Sequence, residues 1–322
     1  MSCKNTTQTN NMRLLFILDP LDKLVTYKDT SLAIMREAAR RGHALAVCEQ
    51  QQVLLRHDKV TVQYRDFAFG EHGYVLGDLQ ETAPEQFDAV LMRKDPPFDN
   101  EFLYSTYLLE IAERQGARIL NAPQAVRGWN EKLSITRFPQ FAPPFLVTRQ
   151  RGLIREFLAL HGDIVVKPLD GMGGSSVFRL TQQDPNIGVI LETITDFEKR
   201  TVMAQRYLPE IVKGDKRILI IDGEPVPYAL ARIPQNGETR GNLAAGGKGV
   251  AQLLTERDRE IATTVGKVLK ANGLFLVGLD VIGDSLTEVN VTSPTGMVEI
   301  AAQTDCNPAA LMVDALETLA TK

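Results

Sequence analysis

An α/β fold is predicted, with a parallel sheet in the N-terminal part and α+β units behind it. Three observations carry this expectation. Short apolar runs alternate with helical periodicity across residues 13–115, and paired apolar runs fill the C-terminal third. Between them, Lys167-Pro168-Leu169-Asp170-Gly171-Met172-Gly173-Gly174-Ser175-Ser176 forms a glycine-rich turn flanked by Ile164-Val165-Val166 and Val177-Phe178. At 322 residues the chain is long enough for two or three domains with substantial cores.

Residues 1–11 are polar, lack apolar periodicity and read as a disordered leader, with Met12 as an alternative start. Residues 13–18 form a buried strand ending at Asp19-Pro20, and residues 30–41 a helix stopped by Gly42. Residues 44–48 and 88–93 are strands, with a helix over 101–115 closed by Gly116. Residues 50–85 read as an irregular hairpin. Pro139, Pro143 and Pro144 mark a change of composition and a linker. A helix at 153–160, strands around the glycine turn, a helix at 187–195 and a strand at 202–205 make the next unit. The last unit has strands at 217–221, 226–233, 275–282 and 286–291, a helix at 256–271, and a C-terminal helix from Pro308. Thr255 and Asp258 are spaced for a reciprocal helix cap.

Composition excludes several functions. A formal charge of −4 gives no electrostatic support for bulk nucleic-acid binding. No apolar run approaches transmembrane length, and no signal peptide precedes the first strand. Cys3, Cys48 and Cys306 are too scattered for a disulfide framework or a zinc cluster, which fits a cytoplasmic protein.

The glycine turn suits a loop folded over phosphates, because glycine allows positive φ and close backbone approach. A plain tight turn is the alternative. No G-x-x-x-x-G-K-[ST] motif occurs, and Gly171-x-Gly173-x-x-Ser176 misses the dinucleotide fingerprint. Cations must then come from elsewhere. Lys167 ends an apolar strand, where it either snorkels or meets an anion; Lys132 alone would be a surface lysine. Glu288 and Asn290 share one strand face, and Asp280 interrupts an apolar strand, where a carboxylate is costly to bury without a cation. Oxygen ligands beside phosphates imply Mg²⁺, although a solvated face is open to Glu288. Arg217 and Arg232 lie in apolar strands and pair either with phosphate or with Asp222 or a helix C-terminus. Residues 238–249 are polar and glycine-rich, a linker or a lid.

Taken together, Asn130-Glu131-Lys132, Lys167 with its glycine turn, Arg232 and Glu288-x-Asn290 resemble the ATP-grasp superfamily of carboxylate–amine ligases. More narrowly, residues 92–99, 167–176, 238–249 and 288–295 are similar to the bacterial glutathione synthetase family, in order from about Arg13 to the end. The resemblance implies an ATP-grasp fold: an N-terminal pre-ATP-grasp domain over 12–129, a small lid domain over 130–208, and a C-terminal domain over 209–322 with the metal site.

It further implies ATP as co-substrate. Lys132 and Lys167 would contact phosphates, and Gly171, Met172, Gly173, Gly174 and Ser175 would cover them. Gln205, Tyr207 and Leu208 would meet adenine, and Asp215 the ribose. Asp280, Glu288 and Asn290 would hold Mg²⁺, with Mn²⁺ as an alternative. Arg217 and Arg232 would act in catalysis, and Arg93, Arg240, Gly241, Asn242, Ser293 and Thr295 would bind substrate. The implied reaction joins γ-glutamylcysteine and glycine to glutathione through an acyl phosphate, in a cytoplasmic homotetramer. The rivals are a D-alanine–D-alanine or glutamate ligase and a non-catalytic synapsin-like ATP-binding protein.

Overall fold

The computed structural model describes residues 11–25, 28–71, 73–235, 241 and 246–321. The leader reading therefore lies almost wholly outside the described residues, as do Arg240 and Asn242. Three sheets follow one another along the chain.

The first sheet begins with β1 (Arg13–Leu18), α1 (Thr30–Arg40) and β2 (Ala44–Glu49), then β3 (Val53–Arg56), β4 (Lys59–Gly70) and β5 (Gly73–Thr82). It continues with β6 (Ala89–Met92), α2 (Asn100–Arg114), β7 (Ile119–Leu120) and α3 (Pro123–Gly128). The order is β3-β4-β2-β1-β6-β7, with β5 paired to β4. β1 is parallel to both β2 and β6, and β6 is parallel to β7, as strand–helix alternation requires. Asp29 and Asp99 cap α1 and α2 through their side chains.

Residues 50–85 contain the irregular hairpin expected, β4 and β5 with a shift of register between Arg65 and Phe67, and β3 extends it to a three-stranded antiparallel unit. Val60, Val62 and Tyr64 alternate inward along β4. That alternation is a half-buried strand signal. β5 carries no such contrast, because nearly all of it is exposed.

The second sheet holds β8 (Phe145–Thr148), α4 (Arg151–His161), β9 (Asp163–Pro168), β10 (Phe178–Thr181), α5 (Ile187–Ile194) and β11 (Val202–Arg206), in the order β10-β9-β11-β8. Both helices cover one face, where Ile154, Leu158 and Leu191 meet Ile164, Val166, Leu180 and Val202. The other face is left to the third sheet.

That third sheet contains β12 (Asp215–Ile221), β13 (Glu224–Ile233), β14 (Lys248–Leu253), α6 (Glu256–Ala271), β15 (Leu276–Ile282) and β16 (Ser285–Asn290), followed by α7 (Met297–Gln303) and α8 (Pro308–Ala320). Its order is β14-β13-β12-β15-β16, antiparallel throughout. Thr255 and Asp258 make the reciprocal cap on α6. The first and third sheets share cores: Phe16, Met35, Leu219, Leu230 and Met312 belong to one cluster, and Ile17, Trp129, Ile218 and Val265 to another.

Candidate active site

Alternation along four antiparallel strands builds the site. Asp215 and Arg217 are two apart on β12 and so face the same way. Arg232 on β13 stands opposite Asp215, and Asp280 on β15 stands opposite Arg217. Glu288 on β16 stands opposite Asp280, with Asn290 opposite Gly278. The result is a charged row across the sheet, acid beside arginine from β13 to β15 and ending in two facing acids, Asp280 and Glu288.

The row is tightly bonded. Arg217 donates to both Asp280 oxygens, Nε–Oδ1 at 2.6 Å and Nη2–Oδ2 at 3.2 Å. Arg232 Nη2 reaches Asp280 Oδ2 at 2.9 Å and also pairs with Asp215. These contacts decide between the partners that sequence left open: Asp222 pairs instead with Lys270. Gly278 makes room for the arrangement, since a Cβ there would lie 2.7 Å from Arg217 Cδ and 2.9 Å from Pro294 Cβ.

The second sheet closes over this row. The glycine turn is the loop of the β9–β10 hairpin, with Gly173, Gly174 and Ser176 at positive φ. Lys132 Nζ donates to the Gly171 carbonyl at 2.5 Å and to Glu288 Oε1 at 2.9 Å, joining the turn to β16. Lys167 Nζ donates to the Thr287 carbonyl at 3.1 Å. Both lysines are buried, so neither is a surface or snorkelling residue. The Asn130 side chain accepts from the Lys132 and Leu133 amides and sets the turn that aims Lys132 inward.

Burial sets the protonation tendencies. It pushes the Lys167 ammonium down to about 8 and the Asp215 carboxyl up to about 6. Burial acts upward on Asp280 as well, but Arg217 and Arg232 outweigh it and hold the carboxyl below its ordinary range. For Lys132, burial is outweighed by Glu288, and its pKa rises.

These groups line one cleft of about 640 Å³. Lys132, Lys167, Gly171, Met172, Gly173, Gly174, Ser175, Gln205, Tyr207, Leu208, Asp215, Arg217 and Arg232 all border it. So do Gly241, Asp280, Glu288, Asn290, Ser293 and Thr295. Arg93 stands behind the wall, donating to the Pro294 carbonyl at 2.9 Å and to Ser31 at 3.1 Å. Its own carbonyl accepts from Ser293 Oγ at 3.1 Å. It thus holds the 293–295 segment from outside the cleft.

Sequence reasoning missed three residues. Glu131 accepts from the Val291 amide and the Thr292 hydroxyl and so ties its own segment to the end of β16. It sits inside the quoted Asn130-Glu131-Lys132, and that adjacency was the available signal. Asn121 makes four hydrogen bonds to the backbone of residues 275, 276 and 291, and Glu299 borders the cleft. Neither carries a sequence signal.

The site has the parts of a nucleotide and metal centre. The Gln205 Nε2 and Asp215 Oδ1 atoms are buried and without a hydrogen-bond partner among the described residues. An adenine edge and a ribose hydroxyl are groups that would satisfy them. Asp280, Glu288 and Asn290 offer oxygen ligands only, the donor set for a hard divalent cation completed by phosphate oxygens.

Two family models match the chain: prokaryotic glutathione synthetase, N-terminal domain, over residues 12–127, and prokaryotic glutathione synthetase, ATP-grasp domain, over residues 131–305. The chain belongs to the prokaryotic glutathione synthetase family. A member of this family, the glutathione synthetase of Nitrosomonas europaea, is 60% identical over 312 residues, covering 95% of this chain and 98% of the relative. Among solved structures, D-cycloserine synthetase DcsG aligns over 95% of this chain and 99% of its own at TM-score 0.69 and 15% identity. The ATP-grasp ligase PsnB, complexed with minimal precursor, Mg and ADP, aligns over 96% and 98% at TM-score 0.61 and 17% identity. At these identities the two structures establish the ATP-grasp fold of the family and nothing finer.

Proposed function

We propose that the cleft performs ATP-dependent ligation of a carboxylate to an amine, joining γ-glutamylcysteine and glycine to give glutathione, ADP and phosphate. The observation that carries the reaction class is the Arg232–Asp215–Arg217–Asp280–Glu288 row facing Lys132, Lys167 and the glycine turn. The choice of substrates rests on the full-length likeness to glutathione synthetases.

A carboxylate does not react with an amine unaided, so its oxygen must first become a leaving group. The cysteinyl carboxylate attacks the γ-phosphorus of ATP, and ADP leaves. The glycine amine then attacks the acyl carbon, sheds its proton and expels phosphate. Lys132 and Lys167 bind phosphate oxygens, and the turn at 171–175 lies over them. Gln205, Tyr207 and Leu208 take the adenine, and Asp215 the ribose. Arg217 and Arg232, fixed by Asp280, stabilise the charge that develops in both steps. Ser293, Thr295 and Gly241 shape the substrate end, which Arg93 supports from behind; Arg240 and Asn242 belong to the same proposal from outside the described residues.

Asp280, Glu288 and Asn290 would hold Mg²⁺, or Mn²⁺ in its place, which when bound offsets phosphate charge and orients the oxygens. Among the described residues, no helix is long and apolar enough to cross a membrane. A homotetramer in the cytoplasm completes the proposal, on family resemblance alone.

A phosphate-release assay tests the reading. Turnover is expected with γ-glutamylcysteine and glycine together, and not when D-alanine replaces both. Turnover with D-alanine alone would assign the site to the rival ligase.

A further inference from the structure

We propose that Glu299 selects the dipeptide substrate by receiving the α-ammonium of its γ-glutamyl end. This deepens the reaction reading given above and rests on it.

Glu299 lies in the first turn of α7 and borders the cleft. Its Oε2 is shielded from solvent and has no hydrogen-bond partner among the described residues. A carboxylate oxygen buried in that way is costly unless a cation or donor meets it. No guanidinium among the described residues pairs with it. Arg217 grips Asp280 and points Nη1 at the Thr295 carbonyl, 3.5 Å away, while Arg93 serves Ser31 and Pro294 through Nε and Nη2 and keeps a buried Nη1 without a partner. With no cation of the described residues on Glu299, that role goes to a ligand in this proposal.

Position identifies which cation. The Ile300 amide donates to the Gly296 carbonyl at 3.2 Å, so Glu299 stands about one turn of α7, roughly 5 Å along its axis, beyond the segment that Arg217 touches. The γ-linkage of γ-glutamylcysteine puts seven bonds between the cysteinyl carboxyl carbon and the α-nitrogen, so the extended substrate spans roughly 9 Å, which reaches from a reacting carboxylate at Arg217 to a charged group beside Glu299. In γ-glutamylcysteine the only cation is the α-ammonium at the far end. Glycine also carries an ammonium, but it must lose a proton to attack, and a neighbouring carboxylate favours the charged form. Glu299 therefore suits the ammonium that never reacts.

The test uses the full chain and two dipeptides: γ-glutamylcysteine, and glutarylcysteine, which lacks the α-amino group. For the wild type, KM for glutarylcysteine is expected to exceed that for γ-glutamylcysteine on the order of 10–100-fold, the worth of a hydrogen bond to a charged group. Glu299→Ala and the isosteric Glu299→Gln should raise KM for γ-glutamylcysteine by about that factor, with KM for glutarylcysteine, glycine and ATP unchanged. The Gln variant keeps the side-chain volume and guards against a folding defect. A rise confined to glycine, or an equal loss with both dipeptides, would overturn the proposal. A wild type that uses both dipeptides equally overturns it while leaving the reaction reading intact; one that uses neither overturns both.

Discussion

Arg217 and Asp280 meet as a two-bond fork across adjacent strands, and Arg232 closes on the same carboxylate from the next strand. One acid thus fixes two cations. Removing it leaves Arg217 buried without a counter-charge and Arg232 with Asp215 alone. Asp280→Ala should therefore cost about 3–5 kcal/mol of stability as well as ligase turnover. Urea unfolding of the variant checks the first part; an unchanged midpoint would show that the row is not held by Asp280.

Gly278 offers a subtler perturbation. A methyl group there collides with Arg217 Cδ and Pro294 Cβ, both parts of the cleft wall. Gly278→Ala should lower kcat by 10-fold or more, roughly the cost of misplacing a catalytic group by an ångström, while KM for ATP holds. Circular dichroism should match the wild type. Wild-type kcat in this variant would mean that Arg217 can be displaced without consequence.

Lys132 joins the glycine turn to β16 through Gly171 and Glu288. Lys132→Met should raise KM for ATP by about 10–100-fold, since a charged hydrogen bond is worth roughly 1.5–3 kcal/mol. The freed turn should also be cut faster by a protease of broad specificity within residues 170–176. Equal cleavage rates in the two proteins would argue that the turn is held by other contacts.

Acid stability has a contributor far from the cleft. Glu37 bonds Arg40 and Arg41, and Arg41 continues to Asp314 and Glu317 on α8. The hydrogen bond from Arg40 leads the effects that hold the Glu37 carboxyl down at about 2, against an ordinary 4.5. A depressed carboxyl stabilises the fold above its unfolded value and loses that contribution as pH falls from 4.5 towards 2. Because Arg40 is largely exposed, the contribution is about 1–2 kcal/mol. Glu37→Gln should be less stable than wild type at pH 7, by denaturant titration, with the gap shrinking below the ordinary carboxyl value. A gap independent of pH would trace the loss to packing.

Asn121 ties three backbone positions at the ends of two strands of the third sheet: Phe275 just before β15, Leu276 at its start and Val291 just after β16. Its Oδ1 accepts from the Phe275 and Leu276 amides at 2.6 and 2.8 Å, and its Nδ2 donates to the Leu276 and Val291 carbonyls at 2.9 and 2.8 Å. Asn121→Leu strands buried backbone groups, so a loss of about 2–4 kcal/mol is expected. Thermal unfolding measures it, and a wild-type midpoint would place those backbone groups in contact with solvent.

The residues that sequence made legible share one property: their chemistry conflicts with their setting. Asp280 in an apolar strand, Lys167 before a glycine turn and Arg217 beside isoleucines each ask for a counter-charge. Glu131, Asn121 and Glu299 raise no such conflict, because a polar residue beside an apolar run is ordinary until its partners are known. Length limited the fold reading in the same way. β7, α3 and α7 span 2, 6 and 7 residues, too few for a period to show. β4 did carry an alternating pattern at Val60, Val62 and Tyr64, and the nearly all-exposed β5 beside it lacked one.

The charged row on the third sheet also constrains how such a site can change over generations. Every member owes its direction to strand register, and a shift of one residue turns a side chain to the opposite face. Substitutions can retune the chemistry one position at a time. A single inserted or deleted codon within β12, β13, β15 or β16 would invert part of the row, so tolerated length variation should be confined to the connections between these strands.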